Sequence, residues 1–155
     1  MPRIDVAAAP FREGTDYPAP HDAPVRARRR WRLGDAAGLT AFGVNRLELD
    51  PGVWSSQRHN HSLEDEFVIV LQGEVVLVED DGETVLRAGD CAAFKAGTGL
   101  AHHLINRSDQ LAVVLEVGSR EPQDASVYPD IDMVWPAGGP WYTHADGRPY
   151  PAPQD

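Results

Sequence analysis

From Phe42 to Val117 the sequence is a series of short apolar runs, each ended by a turn signal, with no sustained helical period. FGVNRLEL stops at Asp50-Pro51-Gly52, EFVIVLQ at Gln72-Gly73, and EVVLV at Asp80-Asp81-Gly82; ETVL, CAAF, HHLIN and LAVVLEV follow. Asp-Gly between alternating apolar residues favours a tight hairpin, and many short strands at even spacing favour an antiparallel sandwich or barrel. At 155 residues the chain can bury the core of one such domain. The stretch 66–71 adds a constraint. With Glu66, Val68 and Val70 facing inward, Phe67, Ile69 and Leu71 line the other face and are apolar as well. A strand apolar on both faces needs cover on both, from the N-terminal segment or from a second copy in a homodimer.

The flanks differ in composition. Residues 1–41, proline-rich among small and polar side chains, are expected as an N-terminal arm packed on a barrel of residues 42–118. Residues 119–155 are expected as an irregular C-terminal segment held to it by Trp135, Trp141, Tyr142 and Tyr150. The basic run VRARRRWRLG at 25–34 stands in a chain of 24 acidic and 14 basic residues with a formal charge of −10. One short cluster against that balance is expected to be solvated or salt-bridged, and nucleic acid and anionic membranes are poor partners for the whole. Cys91 is the single cysteine, so no internal disulfide forms, and its place at a strand start predicts a small buried residue. No apolar run approaches spanning length and the start lacks a basic-then-apolar leader, so a soluble cytoplasmic protein is expected.

Chemistry concentrates in RHNHSLEDEF, residues 58–67. His59 and His61 are one residue apart, so on extended chain both imidazoles share a face, with Glu66 opening the next strand. Two nitrogens and a carboxylate need a third nitrogen to form a common transition-metal site. His102 and His103 offer one, and on a strand only one of the two can face inward. Arg58 and Lys95, beside these segments, are candidate contacts for an anionic substrate group, whereas Glu64 and Asp65 are expected to be solvated.

In these residues the chain resembles the cupin superfamily. The first cupin motif is matched by Gly52, His59-Asn60-His61, Glu66 and Gly73; the second by Gly89, Lys95-Ala96-Gly97, His102 and Asn106. Lys95 stands where the family usually has proline, and the spacing before His59 and before His102 is slightly long. The flanks, including GVNRLELDPG, LEVGSR and YPDIDM, resemble small single-domain cupins described as proposed sugar-phosphate isomerases. The resemblance implies an all-β double-stranded barrel, or jelly roll, holding one divalent metal on His59, His61, Glu66 and His102, with His103 facing away. Three imidazoles and a carboxylate suit Zn, Mn, Fe, Ni, Co or Cu in place of calcium or magnesium.

Three functions are compatible with such a site. A metal enzyme acting as Lewis acid on a small hydroxy-carbonyl or anionic substrate would carry out isomerase, epimerase or lyase chemistry. An Fe-dependent dioxygenase would use the same ligands. A non-catalytic module would bind or sense a small ligand. The first is the expected one, although no residue in the sequence identifies itself as its general base.

Overall fold

The computed structural model describes residues 3–152, and they form an all-β fold with almost no helix. The strands are β1 Phe11–Glu13, β2 Arg29–Arg32, β3 Phe42–Leu49, β4 Asn60–His61, β5 Glu66–Gln72 and β6 Glu74–Glu79. They continue as β7 Gly82–Arg87, β8 Cys91–Phe94, β9 His102–Ile105, β10 Ala112–Ser119, β11 Ser126–Tyr128 and β12 Met133–Trp135. The single α-helix among the described residues, α1, is the four-residue turn Leu33–Ala36. None of the described helices is long and apolar enough to cross a membrane.

One layer is a six-stranded sheet in the order β1-β2-β3-β10-β5-β8. Facing it are two three-stranded sheets, β7-β6-β9 and β12-β11-β4, linked among the described residues by the isolated bridge His59↔His102. The ladders therefore stay open and do not close into the expected barrel. Between the layers lies one core, with Leu47, Leu49, Val68, Val70 and Val114 from the large sheet against Val75, Leu77, Leu86 and Leu104. The alternation of β5 is met on its inner side, where Val68 and Val70 are buried, but Phe67 and Leu71 remain exposed. The N-terminal segment does not cover them. Cys91, expected buried, is exposed on the edge strand β8.

The flanks contribute more than arms. The basic run contains β2, which pairs with β3 and carries β1 on its outer edge. In the C-terminal segment β11 pairs with both β12 and β4. Strands of three or four residues are too short to display an alternation that sequence can reveal, and prolines between them mask the pattern further.

Two motif residues hold the layers together. At Gly73 the chain crosses from the large sheet into β6 with φ +73°, where a Cβ would sit 2.6 Å from the Leu111 carbonyl oxygen, so only glycine fits. Asn106 is fully buried and its hydrogen bonds are all internal. Its Nδ2 donates to the Leu49 and Gln110 carbonyls, both at 2.7 Å, and its Oδ1 accepts from Ser108 N at 3.0 Å and Ser108 Oγ at 2.8 Å. Asn106→Ala leaves those carbonyls buried without a donor, a loss of about 2–4 kcal/mol. In thermal unfolding that corresponds to a Tm lower by roughly 5–15 °C, and a fall under about 2 °C would show that Asn106 does not tie these turns.

Candidate metal centre

The site is assembled from both layers. His59 and His102 pair across an antiparallel bridge, with His59 N donating to His102 O at 3.1 Å and His102 N returning to His59 O at 2.9 Å. His61 lies on β4 opposite Ser126, and Glu66 opens β5 opposite Phe94. The same-face spacing of His59 and His61 is realised: their rings meet edge to face with centroids 4.9 Å apart.

All three imidazoles turn Nε2 toward one atom. Glu66 Oε2 lies 3.0 Å from His102 Nε2, 3.6 Å from His61 Nε2 and 3.8 Å from His59 Nε2. Two of the outer nitrogens are committed elsewhere, while His102 Nδ1 is buried without a partner among the described residues. His59 Nδ1–H donates to the Gln57 carbonyl at 2.9 Å and His61 Nδ1–H to Asp124 Oδ2 at 2.6 Å, leaving the inward Nε2 as a lone pair in each. His102 is fixed differently, by face-to-face stacking on Phe94 with centroids 3.4 Å apart.

Burial, helped by like charge from His102 and His61 and opposed by attraction to Glu66 and the Gln57 hydrogen bond, pushes His59 down to about 4, so it is a neutral donor at ordinary pH. Burial alone would raise Glu66, but contact with His102 and attraction to the other two imidazoles outweigh it and bring the carboxyl down to about 2. Glu66 Oε2 is nevertheless buried and accepts no well-aligned hydrogen bond. That buried oxygen, with three imidazole Nε2 atoms around it and two of them presenting lone pairs, matches the donor set of a divalent transition metal. His59, His61 and Glu66 alone offer three ligand atoms within 4.8 Å of one another. His102 could complete the set from its 3.0 Å contact with Glu66.

His103 faces the opposite way. It is buried, in place of the solvent or subunit contact that its outward side predicts. Its Nδ1–H donates to the Ser56 carbonyl at 3.0 Å and its ring meets Trp54 edge to face at 4.6 Å. Arg58 spends its guanidinium on Asp130, at 2.6 and 2.7 Å, and on Asp80. Lys95 is exposed and paired with Asp65 at 2.9 Å. Neither lines the cavity above the histidines.

That cavity, about 550 Å3, is lined by the three histidines and Glu66 and also by residues to which the sequence gave no site role. Behind His61, Asp124 of EPQDASV is buried, and its Oδ1 accepts from Leu63 N at 2.7 Å and Ser62 Oγ at 3.1 Å while Oδ2 holds His61. Burial would raise it, but His61 and the 62–64 turn hold it below the usual carboxylate range. Nothing in the sequence links it to His61, 63 residues away. Tyr17 and Tyr142 form part of the wall, and Tyr128 stacks on His59 with centroids 5.6 Å apart. Alternate members of the basic run, Arg28, Arg30 and Arg32, line the cavity as well. Once the run is known to be a strand, its period of two puts these three on one face.

The cupin domain family model matches residues 45–118. A sugar phosphate isomerase from a cupin superfamily, from Silicibacter pomeroyi, is 45% identical over 96% of each chain, with a TM-score of 0.90. This chain belongs to the cupin superfamily. A proposed sugar phosphate isomerase from Acidithiobacillus ferrooxidans is 30% identical over 77% of this chain and 76% of its own, with a TM-score of 0.71. The polyketide cyclase RemF from Streptomyces resistomycificus, 19% identical over 78% of this chain and 80% of its own with a TM-score of 0.60, shares the cupin fold. Among curated proteins, none matches the chain significantly in sequence.

If the Nε2 set of this cupin holds a metal, His102→Ala lowers metal content after purification while His103→Ala retains it, as read by elemental analysis. The reverse outcome would place His103 inside and shift that strand by one residue. Asp124→Asn, which weakens the orienting acceptor of His61, lowers metal affinity by roughly 10- to 100-fold; unchanged affinity in a chelator competition would remove Asp124 from the site.

Proposed function

We propose that this cupin is a metal-dependent enzyme of the isomerase, epimerase or lyase type, acting on a small hydroxy-carbonyl compound in the manner of a sugar-phosphate isomerase. The observation that carries the reading is the convergence of three Nε2 atoms on Glu66 Oε2 at a cavity of about 550 Å3. That volume lies within the range of small-molecule sites. The cupin from Silicibacter pomeroyi, described as a sugar phosphate isomerase, supports the substrate class. A divalent ion bound on His59, His61, Glu66 and His102 would supply Lewis-acid polarisation of a substrate oxygen.

The chain's own groups supply orientation and proton handling. Asp124 and the Gln57 carbonyl keep His61 and His59 in the Nδ1–H tautomer. Glu64 lines the same cavity, and burial raises its carboxyl above the usual range. Its Oε1 is occupied by Glu121 N at 2.8 Å, which leaves Oε2 as the oxygen able to take up or release a proton. We assign Glu64 the acid–base role that the sequence left open.

Glu64→Gln keeps the Oε1 acceptor and removes the exchangeable proton. Turnover of a hydroxy-carbonyl substrate falls by about 100- to 10,000-fold with metal content unchanged, whereas near-normal turnover would rule Glu64 out. In a parallel assay, oxygen uptake on substrate addition, dependent on ferrous iron, would replace this reading with a dioxygenase. The same protein loaded with each metal in turn is expected to isomerise without consuming oxygen.

We further propose that the protein is a homodimer built on the outer face of β5, where Phe67 is 40% and Leu71 49% exposed. Light scattering at micromolar concentration should return close to twice the 17.0 kDa chain mass. A monomer mass would defeat the proposal.

A further inference from the structure

The wall of the cavity carries a second polar cluster. Five arginines line it, Arg12, Arg28, Arg30, Arg32 and Arg120. Their placement follows from strand geometry. Arg28, Arg30 and Arg32 alternate along the β2 segment and face the cavity, while Arg29 turns to the outer face and pairs with Glu48 at 3.1 Å and Asp50 at 2.5 Å. Arg12 on β1 stands directly opposite Arg30 in the ladder, a cross-strand pair of like charges that is unfavourable without an anion nearby.

Three of the carboxylates lining the cavity lie among these arginines. Arg12 pairs with Asp16; Arg32 and Arg120 share Asp35; Arg30 reaches Glu116 at 3.0 Å. Arg28 has no carboxylate partner among the described residues, although it is 94% buried, its exposure being 6%. Its Nη1 donates to the Ser55 carbonyl at 2.6 Å and its Nη2 to the Gly14 carbonyl at 3.0 Å, both neutral acceptors. The Nε atoms of Arg28 and Arg30 are buried and make no hydrogen bond. A desolvated cation held only by carbonyls, beside unsatisfied donors, is costly unless a ligand completes it. Ser55 lies four residues before His59 in the chain, so this cluster and the histidines belong to one cavity.

We propose that Arg28, Arg30 and Arg12 form an anion subsite that holds the phosphate of a phosphorylated hydroxy-carbonyl substrate while its other end reaches the histidine cluster. The proposal rests on the enzyme reading above and names its substrate class. Three guanidiniums against Asp16 and Glu116 leave an excess of one positive charge at this subsite, and Arg32 and Arg120 against Asp35 add a second along the same wall, which suits a phosphate dianion. Burial, with like charge from Arg30 and Arg12 in addition, lowers Arg28 to about 10, so it stays protonated at neutral pH.

Calorimetric titration with inorganic phosphate, on metal-loaded and on chelator-stripped protein at low salt, tests the subsite. Phosphate is expected to bind both forms, and acetate at least tenfold more weakly, as loss of a charge-assisted contact requires. Arg28→Met should weaken phosphate by about 10- to 100-fold in both forms. Arg29→Met, on the outer face, should leave it unchanged. Because Arg28 also ties Ser55 to Gly14, Arg12→Met provides a second variant at a side chain already 43% exposed, and it too should weaken phosphate. Two results would overturn the subsite: phosphate binding abolished by chelation and indifferent to both substitutions, or acetate binding as tightly as phosphate. Phosphate binding without any turnover would instead sink the enzyme reading alone.

Discussion

Everything in this molecule is arranged around one carboxylate oxygen. Glu66 Oε2 is buried with no well-aligned hydrogen bond, three imidazole Nε2 atoms lie within 3.8 Å of it, and the carboxyl is brought down to about 2. An anion withdrawn from water in this way is expensive unless a cation compensates it. A protonated His59 is a poor source of that cation at neutral pH, since burial pushes it down to about 4. A divalent ion satisfies both conditions, taking the lone pairs of neutral histidines and the charge of the carboxylate. The donor chemistry and the burial therefore point to the same occupant independently of family membership.

The surrounding fold can be understood as what keeps those donors facing one another. No single strand could do it. His59 and His102 are held by a bridge between two chain segments, His61 by its ladder with β11, and Glu66 by the large sheet. Gly73 and Asn106, the motif residues that touch no metal position, act on the scaffold: one permits the crossing between layers, the other ties the turns at the ends of β3 and β9. Asp124 connects the C-terminal segment to both the 62–64 turn and His61. That segment is thus part of the site, because it supplies the acceptor that fixes an imidazole tautomer.

Legibility in the sequence followed the length of the pattern. The strands of the central region have runs of four to eight residues with turn residues between them, and β3 and β8 coincide with FGVNRLEL and CAAF. Same-face spacing was enough to pair His59 with His61, and the second motif was needed to prefer His102 over His103. Strands β1, β2, β11 and β12 escaped because three or four residues among prolines show no period. Asp124 escaped because its contact with His61 spans 63 residues and leaves no local trace. The basic run was expected to be solvated or salt-bridged, and Arg26, Arg29, Arg30 and Arg32 are salt-bridged, but its division into two faces escaped. Net charge treats VRARRRWRLG as one patch, whereas strand geometry divides it into two faces with different partners.

That division gives the cavity a polarity. At one end three imidazoles and a carboxylate form a donor set for a cation; at the other, arginines outnumber their carboxylates and one of them, Arg28, is buried with only carbonyl acceptors. The chain as a whole carries a formal charge of −10, so this positive interior is local and is not the tail of a basic surface. A long polyanion would meet the acidic exterior first and is disfavoured. A small molecule is not, because it can leave that field behind on entering the cavity, with its anionic group at one end and its oxygens at the other. On the proposed reading, selectivity for such a bifunctional ligand would arise from the separation of the two clusters, the arginines taking its anionic group and a metal on the histidines its oxygens.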